Sequence, residues 1–395
     1  KEAGRRCTSV YFPGHVLPML PLALSEKVCS LKPDEDRLCL ACRMRFAPDG
    51  EIGGYDFCKA VIRSQARLTY SQSAQMLDLP AESPVHESLL MLDELSAKLL
   101  ARRLKAGALK LFLPTPELVL ADDRVTGVTE FVPLRTHSII EECMLVANVC
   151  AAKFLQAKQR PLLYRVHAKP EQLRIEQLRF LLREYGIGVG DLEDVRNMQA
   201  VIDAVMKLPP DRAHALTFHV LRTLSRAVYT PNKASHYGLG FTDYTHFTSP
   251  IRRYPDLLVH RQISSVLAGD SESAINATQL GEVGERCSLR EQNAEKAERA
   301  IVGRMIARLQ HSNVGQPQDG VITGITKFGI FVMFSGFAEG LLPLSQLRDD
   351  YYELKDKDTV LLGSRTKRMF RVGMAVQVAI GSIDMEAGRC RLRLA

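Results

Sequence analysis

The chain has 395 residues, of which 46% are hydrophobic and 25% are charged, and its formal net charge is +7. This composition is typical of a folded globular protein of about two or three domains and excludes a disordered chain. No apolar stretch approaches the roughly 18 residues that a membrane span requires, so we expect a soluble protein with no membrane partner. The positive charge favours a polyanionic partner without identifying one.

The nine cysteines are irregularly scattered, which predicts reduced thiols and no disulfide framework. Cys39 and Cys42 form a Cys-x-x-Cys pair within the alternating segment RLCLACRMRF. Residues three apart on a strand face opposite sides, so these two sulfurs are not expected to converge on one metal ion. We expect both to be core thiols.

Short apolar runs between residues 8 and 70, separated by proline and Asp-Gly signals, predict β-strands. Apolar residues at three-and-four spacing predict an amphipathic helix over 86–106, with Gly107 as its C-terminal cap. A pair of short strands is expected at 109–120 and 124–132.

A largely buried helix is predicted over 138–158, with Ser138 as its N-cap and Glu141 completing a capping-box spacing. Val314 begins a segment with alternating apolar residues and glycines, which predicts a small all-β domain. Further helices are expected over residues 171–185, 194–207, 211–228, 255–267 and 277–311.

The segment HFTSPIRRYPD, at 246–256, places two arginines in a proline-bounded corner. Ser249 followed by Pro250 predicts a helix start, whose free N–H groups would bind an anion beside Arg252. Adjacent helical residues diverge by about 100°, so Arg252 and Arg253 are not expected to address one phosphate. One arginine is therefore predicted to be functional and the other structural.

Two alternatives stand beside phosphate binding. Both arginines could pair with carboxylates such as Asp256, and the local pattern leaves this equally open. His246, Asp256 and His260 could instead be metal ligands, since the last two lie four apart on one helix face. The pattern disfavours a metal site, because the third ligand would come from across a turn.

Residues 236–263, HYGLGFTDYTHFTSPIRRYPDLLVHRQI, resemble the signature of the RNase II/RNase R family of exoribonucleases, whose catalytic module is the RNB domain. TSVYFPGHVLPMLP, CSLKPDEDRL, VIRSQARLTY and IIEECMLVAN match further family segments in order and spacing, and the RNase R branch fits best. The resemblance implies an α+β fold: a mixed α/β RNB catalytic domain over 1–312, lacking its N-terminal part, then an all-β, S1-like OB-fold barrel over 313–395.

Such a resemblance implies processive 3′-to-5′ hydrolysis of single-stranded RNA to nucleoside 5′-monophosphates, assisted by two Mg²⁺ ions. It also implies a monomer without a small-molecule cofactor. A cytoplasmic location is expected, or an organellar one if a targeting segment precedes Lys1.

The residues of this chain that match the family motifs are expected to have the roles that the family motifs have. Arg252 is the implied catalytic contact to the scissile phosphate, with Arg253 beside it as an RNA contact. Tyr11 resembles the aromatic residue that stacks on the terminal base, and Tyr70 resembles a second channel tyrosine near the scissile end. For Tyr11, an interior strand position is the alternative.

Three glutamates are implied RNA contacts. Glu141 or Glu142 resembles a carboxylate near the terminal ribose, where the 2′-OH distinguishes RNA from DNA. Glu298 resembles a glutamate near the leaving end. Alternatively, Glu141 and Glu142 only cap the first turn of a helix, and Glu298 lies on a solvated helix face.

In the C-terminal region, KFGIFV resembles the diagnostic run of an S1 domain. It implies RNA stacking on Phe328 and Phe331, with Gly329 allowing a close backbone approach or a β-bulge. Strand aromatics that belong to the core are the alternative. Pro343 stands where many such domains carry a histidine. Positive charge that follows the RNA backbone is expected from Lys327, Lys367, Arg368 and Arg371.

The metal ligands of the family form an Asp-x5-Asp-x-Asp-Asp cluster ahead of TSVYFP, and this chain begins only a few residues before that segment. Asp350, Asp356 and Asp358 reproduce three of the spacings, but Thr359 occupies the fourth place, which indicates a coincidence. No metal ligands are therefore expected here, and the chain alone is predicted to be hydrolytically inactive.

Two interpretations follow. The start at Lys1 is interpreted as a cut in a longer nuclease, and retention of Tyr11, Tyr70 and Arg252 favours this reading. The alternative is a noncatalytic RNA-binding or assembly protein built on a degenerate RNB scaffold.

Overall fold

A computed structural model describes residues 1–81, 83–111, 114–122, 124–270, 275–355 and 359–395. Helices and two-stranded sheets make up its first three quarters, and a closed β-barrel forms the remainder. The α+β fold class expected from the sequence is confirmed.

The helices of the described residues are α1 (Glu2–Arg6), α2 (Tyr70–Leu77), α3 (Pro84–Lys105), α4 (Arg135–Ala157), α5 (Gln172–Arg183), α6 (Val195–Met206), α7 (Pro210–Thr223), α8 (Tyr254–Ala268) and α9 (Ala277–Leu309). The strands before the barrel are β1 (Val10–Phe12), β2 (His15–Leu17), β3 (Asp36–Phe46), β4 (Ile52–Arg63), β5 (Pro116–Ala121), β6 (Arg124–Glu130), β7 (Tyr164–His167) and β8 (Ala227–Thr230). The strands of the C-terminal region are β9 (Pro317–Thr326), β10 (Gly329–Phe334), β11 (Ala338–Pro343), β12 (Tyr352–Lys355), β13 (Val360–Gly363), β14 (Met369–Arg371), β15 (Ala375–Asp384) and β16 (Arg389–Leu394).

The predicted N-terminal strands form two antiparallel hairpins, β1–β2 and the longer β3–β4. Cys42 packs with the core that α4 and α8 share, whereas Cys39 lies on the other face of β3. All nine cysteines are free. The opposite-face prediction is confirmed, and of the two thiols only Cys42 belongs to the core.

Helix α4 is the central element of the first domain. Its middle carries small residues that are fully buried, among them Cys150, Ala151 and Ala152. Small side chains let neighbouring elements approach closely, and α3, α8 and β3 all contact this helix. The helix therefore fixes the relative positions of segments that lie far apart in the chain.

The predicted N-cap of this helix is wrong. α4 begins at Arg135, and Ser138 lies inside its first turn. The Leu134 backbone N–H donates to Nδ1 of His137 at 3.0 Å. A histidine at the third helical position thus supplies the acceptor, which moves the start three residues earlier than the Ser–Glu spacing indicates.

Helix α3 ends as predicted. It stops at Lys105, and Gly107 follows with φ of +101°. A Cβ at this position would lie 2.8 Å from Cγ1 of Val195, so both the backbone conformation and the space require glycine. The expected strand pair is the β5–β6 hairpin, while residues 112 and 113 lie outside the described residues.

The helix predicted over 211–228 is too long. α7 ends at Thr223, and residues 227–230 form β8, antiparallel to β7. The Tyr229 backbone N–H also donates to the Ser288 hydroxyl at 2.9 Å. These partners come from distant parts of the chain, so pairing overrides the local helical pattern.

The C-terminal barrel closes in the order β10, β11, β16, β15, β9, with a separate three-stranded sheet β12–β13–β14. Helices α5, α6 and α7 share one hydrophobic core with it. His219 Nε2 lies 2.9 Å from the Thr323 carbonyl oxygen, and Arg371 pairs with Glu184 at 2.7 Å. None of the described helices combines the length and apolar character needed to cross a bilayer.

Candidate active site

The arginine corner is paired with the N-terminal segment that leads to Tyr11. The Ser9 N–H donates to the Arg252 carbonyl oxygen at 3.0 Å, and the Tyr254 N–H donates to the Cys7 carbonyl oxygen at 2.9 Å. Thr8 and Arg253 form the β-bridge between these two bonds. Tyr11 lies only two residues beyond Ser9, so the fold places the segments that carry Tyr11 and Arg252 side by side.

The corner itself is a turn, and the predicted helix start at Ser249 and Pro250 is wrong. The N–H groups of Arg252 and Arg253 both donate to the Ser249 carbonyl oxygen, at 3.2 and 3.1 Å. Helix α8 begins five residues later, at Tyr254. The reason is Asp256, whose buried Oδ1 accepts the Ser249 N–H at 2.8 Å and holds the turn closed.

Arg253 has a structural role. Its Nε lies 2.9 Å from Oδ2 of Asp256 and its Nη2 lies 2.8 Å from Oδ1, which is a two-point ion pair. Burial acts to lower the pKa of Arg253, but the Asp256 charge outweighs it and the pKa is raised. This geometry argues against the RNA contact expected of Arg253, since the fork is already engaged.

Arg252 has the opposite environment. Its side chain is half-buried at the corner. Within the part of the chain that the structure describes, its guanidinium has no hydrogen bond or ion pair. The pair of neighbouring arginines therefore divides as the sequence predicted, with one engaged internally and one available to an anion.

The alternative of a metal site at His246, Asp256 and His260 is wrong for this structure. His246 Nδ1 lies 2.8 Å from the Tyr229 hydroxyl, His260 Nε2 lies 2.8 Å from the Phe247 carbonyl oxygen, and Asp256 is engaged by Arg253. Burial, then the charges of Arg253 and Arg165, lower the pKa of His246 well below its ordinary value. His246 is thus a neutral residue of the core behind the corner.

Glu298 belongs to the same site as Tyr11. The Tyr11 backbone N–H donates to Oε1 of Glu298 at 2.7 Å, and helix α9 lies along β1. The Tyr11 ring remains 46% exposed. The alternative of an interior Tyr11 is therefore contradicted, whereas Glu298 is half-buried and bonds the strand from a partly solvated helix face.

Tyr70 is held at the first turn of α4. Thr69 and Gln72 form a capping box that starts α2 at Tyr70. The Tyr70 ring stacks on His137, with centroids 3.9 Å apart and planes 17° apart. His137 carries no motif signal of its own; its position four residues before Glu141, on the same helix face, is the feature of the sequence that points to it.

The two glutamates of α4 have different environments. Glu142 is buried, and both of its oxygens lie 3.1 Å from Nε of Arg103. Glu141 is exposed over 58% of its side chain, and its Oε1 lies 3.5 Å from Nη2 of Arg103. Glu142 is therefore a structural residue and not the expected RNA contact, and Glu141 is the carboxylate that a ligand can reach. Sequence reasoning missed Arg103.

Helix α4 connects the two groups of residues. Oδ1 of Asn148 accepts the N–H groups of Phe247 and Thr248, at 2.8 and 3.2 Å, immediately before the arginine corner. Asn148 lies seven residues after Glu141, which is roughly 10 Å of helix. Glu298 thus contacts Tyr11 directly, the backbone of Arg252 is bonded to Ser9 of the same N-terminal segment, and α4 carries both Glu141 and the anchor of the corner.

On the barrel, Phe328 and Phe331 face outward. Phe328 is 67% exposed in the turn before β10, and Lys327 Nζ lies 5.2 Å from its ring centroid. Phe331 lines a cleft of about 800 Å³ between the barrel and α9, and Glu298 lies on the opposite wall. The alternative of core aromatics is contradicted for Phe328, and the cleft links Phe331 to the site around Tyr11.

Among the other predicted features of the barrel, the role of Gly329 is confirmed, whereas three of the predicted cations have partners within the protein. A Cβ on Gly329 would lie 2.3 Å from the Leu342 carbonyl oxygen, so the expected close approach is confirmed. Pro343 lies opposite Gly329 in the β10–β11 ladder. The remaining predicted cations are already engaged: Arg368 with Asp349, Arg371 with Glu184, and Lys367 with the Ser364 carbonyl oxygen.

The described residues do not fit a two-metal site. Among them no three His, Cys, Asp or Glu side chains lie close enough to hold a metal ion. Asp350 accepts the backbone N–H groups of Arg365 and Thr366, and Asp356 and Asp358 lie outside the described residues. The site described here therefore consists of a free arginine, accessible tyrosines and a carboxylate.

A strand-anchored arginine corner, exposed aromatic rings and a C-terminal five-stranded barrel define an RNB-type domain joined to an S1-type domain. The RNB domain profile matches residues 1–269, and the S1 RNA binding domain profile matches residues 312–394. The chain belongs to the RNB-domain family.

Ribonuclease R of Escherichia coli is 34% identical over 405 residues, which cover 98% of this chain and 50% of that protein. Ribonuclease R of Aquifex aeolicus is 34% identical over 404 residues, 100% of this chain and 57% of that protein. The apo structure of Mycoplasma genitalium RNase R superposes with a TM-score of 0.93 at 28% identity, and it covers 100% of this chain and 63% of that one. The chain thus spans about half the length of the curated relatives that it matches.

Proposed function

We propose that this chain is the part of an RNase R-like exoribonuclease that grips the 3′ end of single-stranded RNA. The complete enzyme would hydrolyse RNA processively in the 3′-to-5′ direction and release nucleoside 5′-monophosphates. Membership of the RNB family supports the hydrolytic class. A structure of Mycoplasma genitalium RNase R in complex with ribose-methylated single-stranded RNA, with a TM-score of 0.93 to this chain, supports RNA as the ligand.

One observation carries the proposal. The guanidinium of Arg252, which has no partner among the described residues, lies on a turn whose backbone is bonded to the segment that leads to Tyr11 in β1. A fixed guanidinium suits a phosphate, because it stabilises negative charge that is present or developing on the phosphate oxygens. An exposed ring a few residues away suits the base, since stacking requires no base identity.

Residues near the start of α4 and on the barrel are proposed to provide further contacts to the RNA. Tyr70 and Glu141 lie at the exposed N-terminal end of α4, where we place the terminal ribose and its 2′-OH. Phe328, Phe331 and Lys327 offer rings and charge to nucleotides further upstream. The assignment of 1–312 to catalysis and 313–395 to RNA binding belongs to this proposal, as do a monomeric state and a cytoplasmic location.

Hydrolysis in this family implies a divalent metal, and the proposed ion is Mg²⁺. Because the described residues do not supply a cluster of oxygen ligands, we assign the metal ligands to a part of the enzyme outside this chain. This chain alone is then expected to bind RNA without hydrolysing it.

The test compares two arginines. The 395-residue chain is titrated with a short 3′-labelled oligoribonucleotide in EDTA, for wild type, Arg252→Ala and Arg196→Ala, an exposed arginine on α6. A hydrogen bond to a charged group contributes about 1.5–3 kcal/mol to the free energy of binding. Arg252→Ala is therefore expected to raise the Kd roughly 10- to 100-fold and to make the Kd less dependent on salt concentration. Arg196→Ala is expected to bind as wild type.

Equal affinity of Arg252→Ala and wild type would overturn the assigned role of Arg252. A second arm adds Mg²⁺ to the complete protein and measures release of labelled mononucleotide. If the complete protein binds RNA but releases no mononucleotide, the chain belongs to a noncatalytic RNA-binding protein on the same scaffold.

A further inference from the structure

We propose that His137 is a positioning residue that fixes the Tyr70 ring as a one-sided platform for the 3′-terminal nucleotide. This inference rests on the proposed function, because it requires that Tyr70 contacts bound RNA. It adds a residue and a physical task that the motif resemblance does not provide.

The stack itself is the first observation. The rings of Tyr70 and His137 are nearly parallel at 3.9 Å, and Phe131 meets His137 edge-on at 5.5 Å. Tyr70 is nevertheless 44% exposed. One face of the tyrosine is therefore covered, and a nucleotide can reach only the other face, the edge or the hydroxyl group.

The orientation of His137 is fixed independently of Tyr70. Its Nδ1 accepts the Leu134 N–H at 3.0 Å, so in the neutral ring the proton is carried by Nε2. The hydroxyl of the buried Thr136 donates to the Tyr70 carbonyl oxygen at 2.9 Å. The first turn of α4 thus holds both the backbone and the ring of Tyr70.

This arrangement lowers the cost of ordering the platform. An exposed tyrosine on the first turn of a helix would otherwise sample several side-chain rotamers, and binding would have to select one of them. A ring that is already stacked contributes its remaining face to the nucleotide with less loss of freedom.

His137, which supports the platform, lies on the same helix face as Glu141. His137 and Glu141 are four residues apart on α4, so their side chains lie one turn from each other. The ring supported by His137 and the exposed carboxylate can therefore address the same terminal nucleotide.

His137 caps the start of α4 and stacks on Tyr70, and substitutions can separate these two roles. Glutamine at the third helical position can still accept the Leu134 N–H, so His137→Gln keeps the cap and removes the stack. Phenylalanine keeps a flat ring but has no acceptor, so His137→Phe keeps the stack and removes the cap. A stability effect and a binding effect should consequently appear in different variants.

The experiment uses the 395-residue chain in EDTA and an oligoribonucleotide with 2-aminopurine at its 3′ end. The chain contains no tryptophan, so the fluorescence of the nucleotide is measured without that background. His137→Gln is expected to keep the unfolding midpoint of wild type, to bind about threefold to tenfold more weakly and to quench 2-aminopurine less. His137→Phe is expected to bind and quench as wild type while its unfolding midpoint falls. His311→Gln, at an exposed histidine, is the control.

The inference would be overturned if His137→Gln bound RNA and quenched 2-aminopurine as wild type does. It would also be overturned if, in both variants, affinity and quenching fell only in proportion to the fall in the unfolding midpoint. Tyr70→Ala separates this failure from that of the proposed function. If Tyr70→Ala also binds and quenches as wild type, Tyr70 does not contact RNA and the proposed role of this position fails. If Tyr70→Ala loses affinity but His137→Gln does not, only the role of His137 fails.

Discussion

Arg253 and Asp256 form a two-point ion pair at the start of α8, with N–O distances of 2.9 and 2.8 Å and the carboxylate fully buried. The same carboxylate accepts the Ser249 N–H, so it organises the whole turn. Because Arg253 is fixed inward, the adjacent Arg252 is presented outward. The internal arginine thereby sets the direction of the arginine to which we assign phosphate binding.

The first prediction concerns this pair. Asp256→Asn leaves the Arg253 charge buried without a partner, so we expect the free energy of unfolding to fall by about 3–5 kcal/mol. Urea or guanidinium denaturation followed by circular dichroism measures the change. The control is Asp49→Asn, which removes the exposed partner of Arg102 and should change stability little. Similar losses for the two variants would contradict the structural role of the buried pair.

The second prediction separates Glu141 from Glu142. Glu142→Gln disrupts the buried pair with Arg103 and is expected to lower the free energy of unfolding by about 3–5 kcal/mol. Glu141→Gln should leave stability unchanged but reduce the preference for RNA over DNA of the same sequence. Denaturation curves and paired titrations with the two oligonucleotides measure these effects. An unchanged RNA-to-DNA ratio of Kd values for Glu141→Gln would show that this carboxylate does not sense the ribose.

The third prediction is a loss of stability on mild acidification. Burial lowers the pKa of His236 to about 3, with the charges of His167 and Arg165 adding to the effect, whereas the ordinary pKa is about 6.5. Below pH 6.5 the unfolded chain therefore binds a proton that the folded chain excludes. Stability is retained above that pH and lost as pH falls, by about 1.4 kcal/mol at pH 5.5 for this one residue.

Denaturation at pH 7.5, 6.5 and 5.5 measures this dependence before the carboxylates titrate. His236→Asn should reduce the slope by the share of this residue, because the amide oxygen can still accept the Leu239 N–H but cannot be protonated in this range. Other buried histidines with lowered pKa values, such as His246, keep the remaining slope. Identical slopes for the variant and wild type would refute the assignment to His236.

The fourth prediction concerns the barrel. Phe328→Ala removes an exposed ring beside Lys327, and loss of a base stack predicts RNA binding weaker by about 1–3 kcal/mol with no change in stability. Tyr351→Ala is the matched control, since Tyr351 is an exposed aromatic of the same region and lies outside the β10 turn. Fluorescence anisotropy with an oligouridylate long enough to reach the barrel provides the measurement. Equal effects of the two substitutions would mean that Phe328 is not a specific contact.

Local patterns predicted what local forces control. The end of α3 at Gly107 follows from a single backbone conformation, and the β10 alternation follows from the period of a strand. The start of α4 was missed because its acceptor is the His137 ring and not the Ser138 hydroxyl. Likewise, the helical pattern over 211–228 does not predict β8, because the partners of β8, β7 and Ser288, are distant in sequence.

The amino-acid sequence by itself determined the family, the positions of most helices with the barrel after them, and most of the residues that we propose for the site. It did not determine which member of each charged pair faces a ligand. Arg253 and Glu142 are internal because Asp256 and Arg103 meet them in the folded chain, and Arg103 lies 39 residues from its partner. Asp256 lies only three residues from Arg253, but its carboxylate is buried and directed at that arginine only in the folded turn that it closes. Only the tertiary structure therefore separates Arg252 from Arg253 and Glu141 from Glu142.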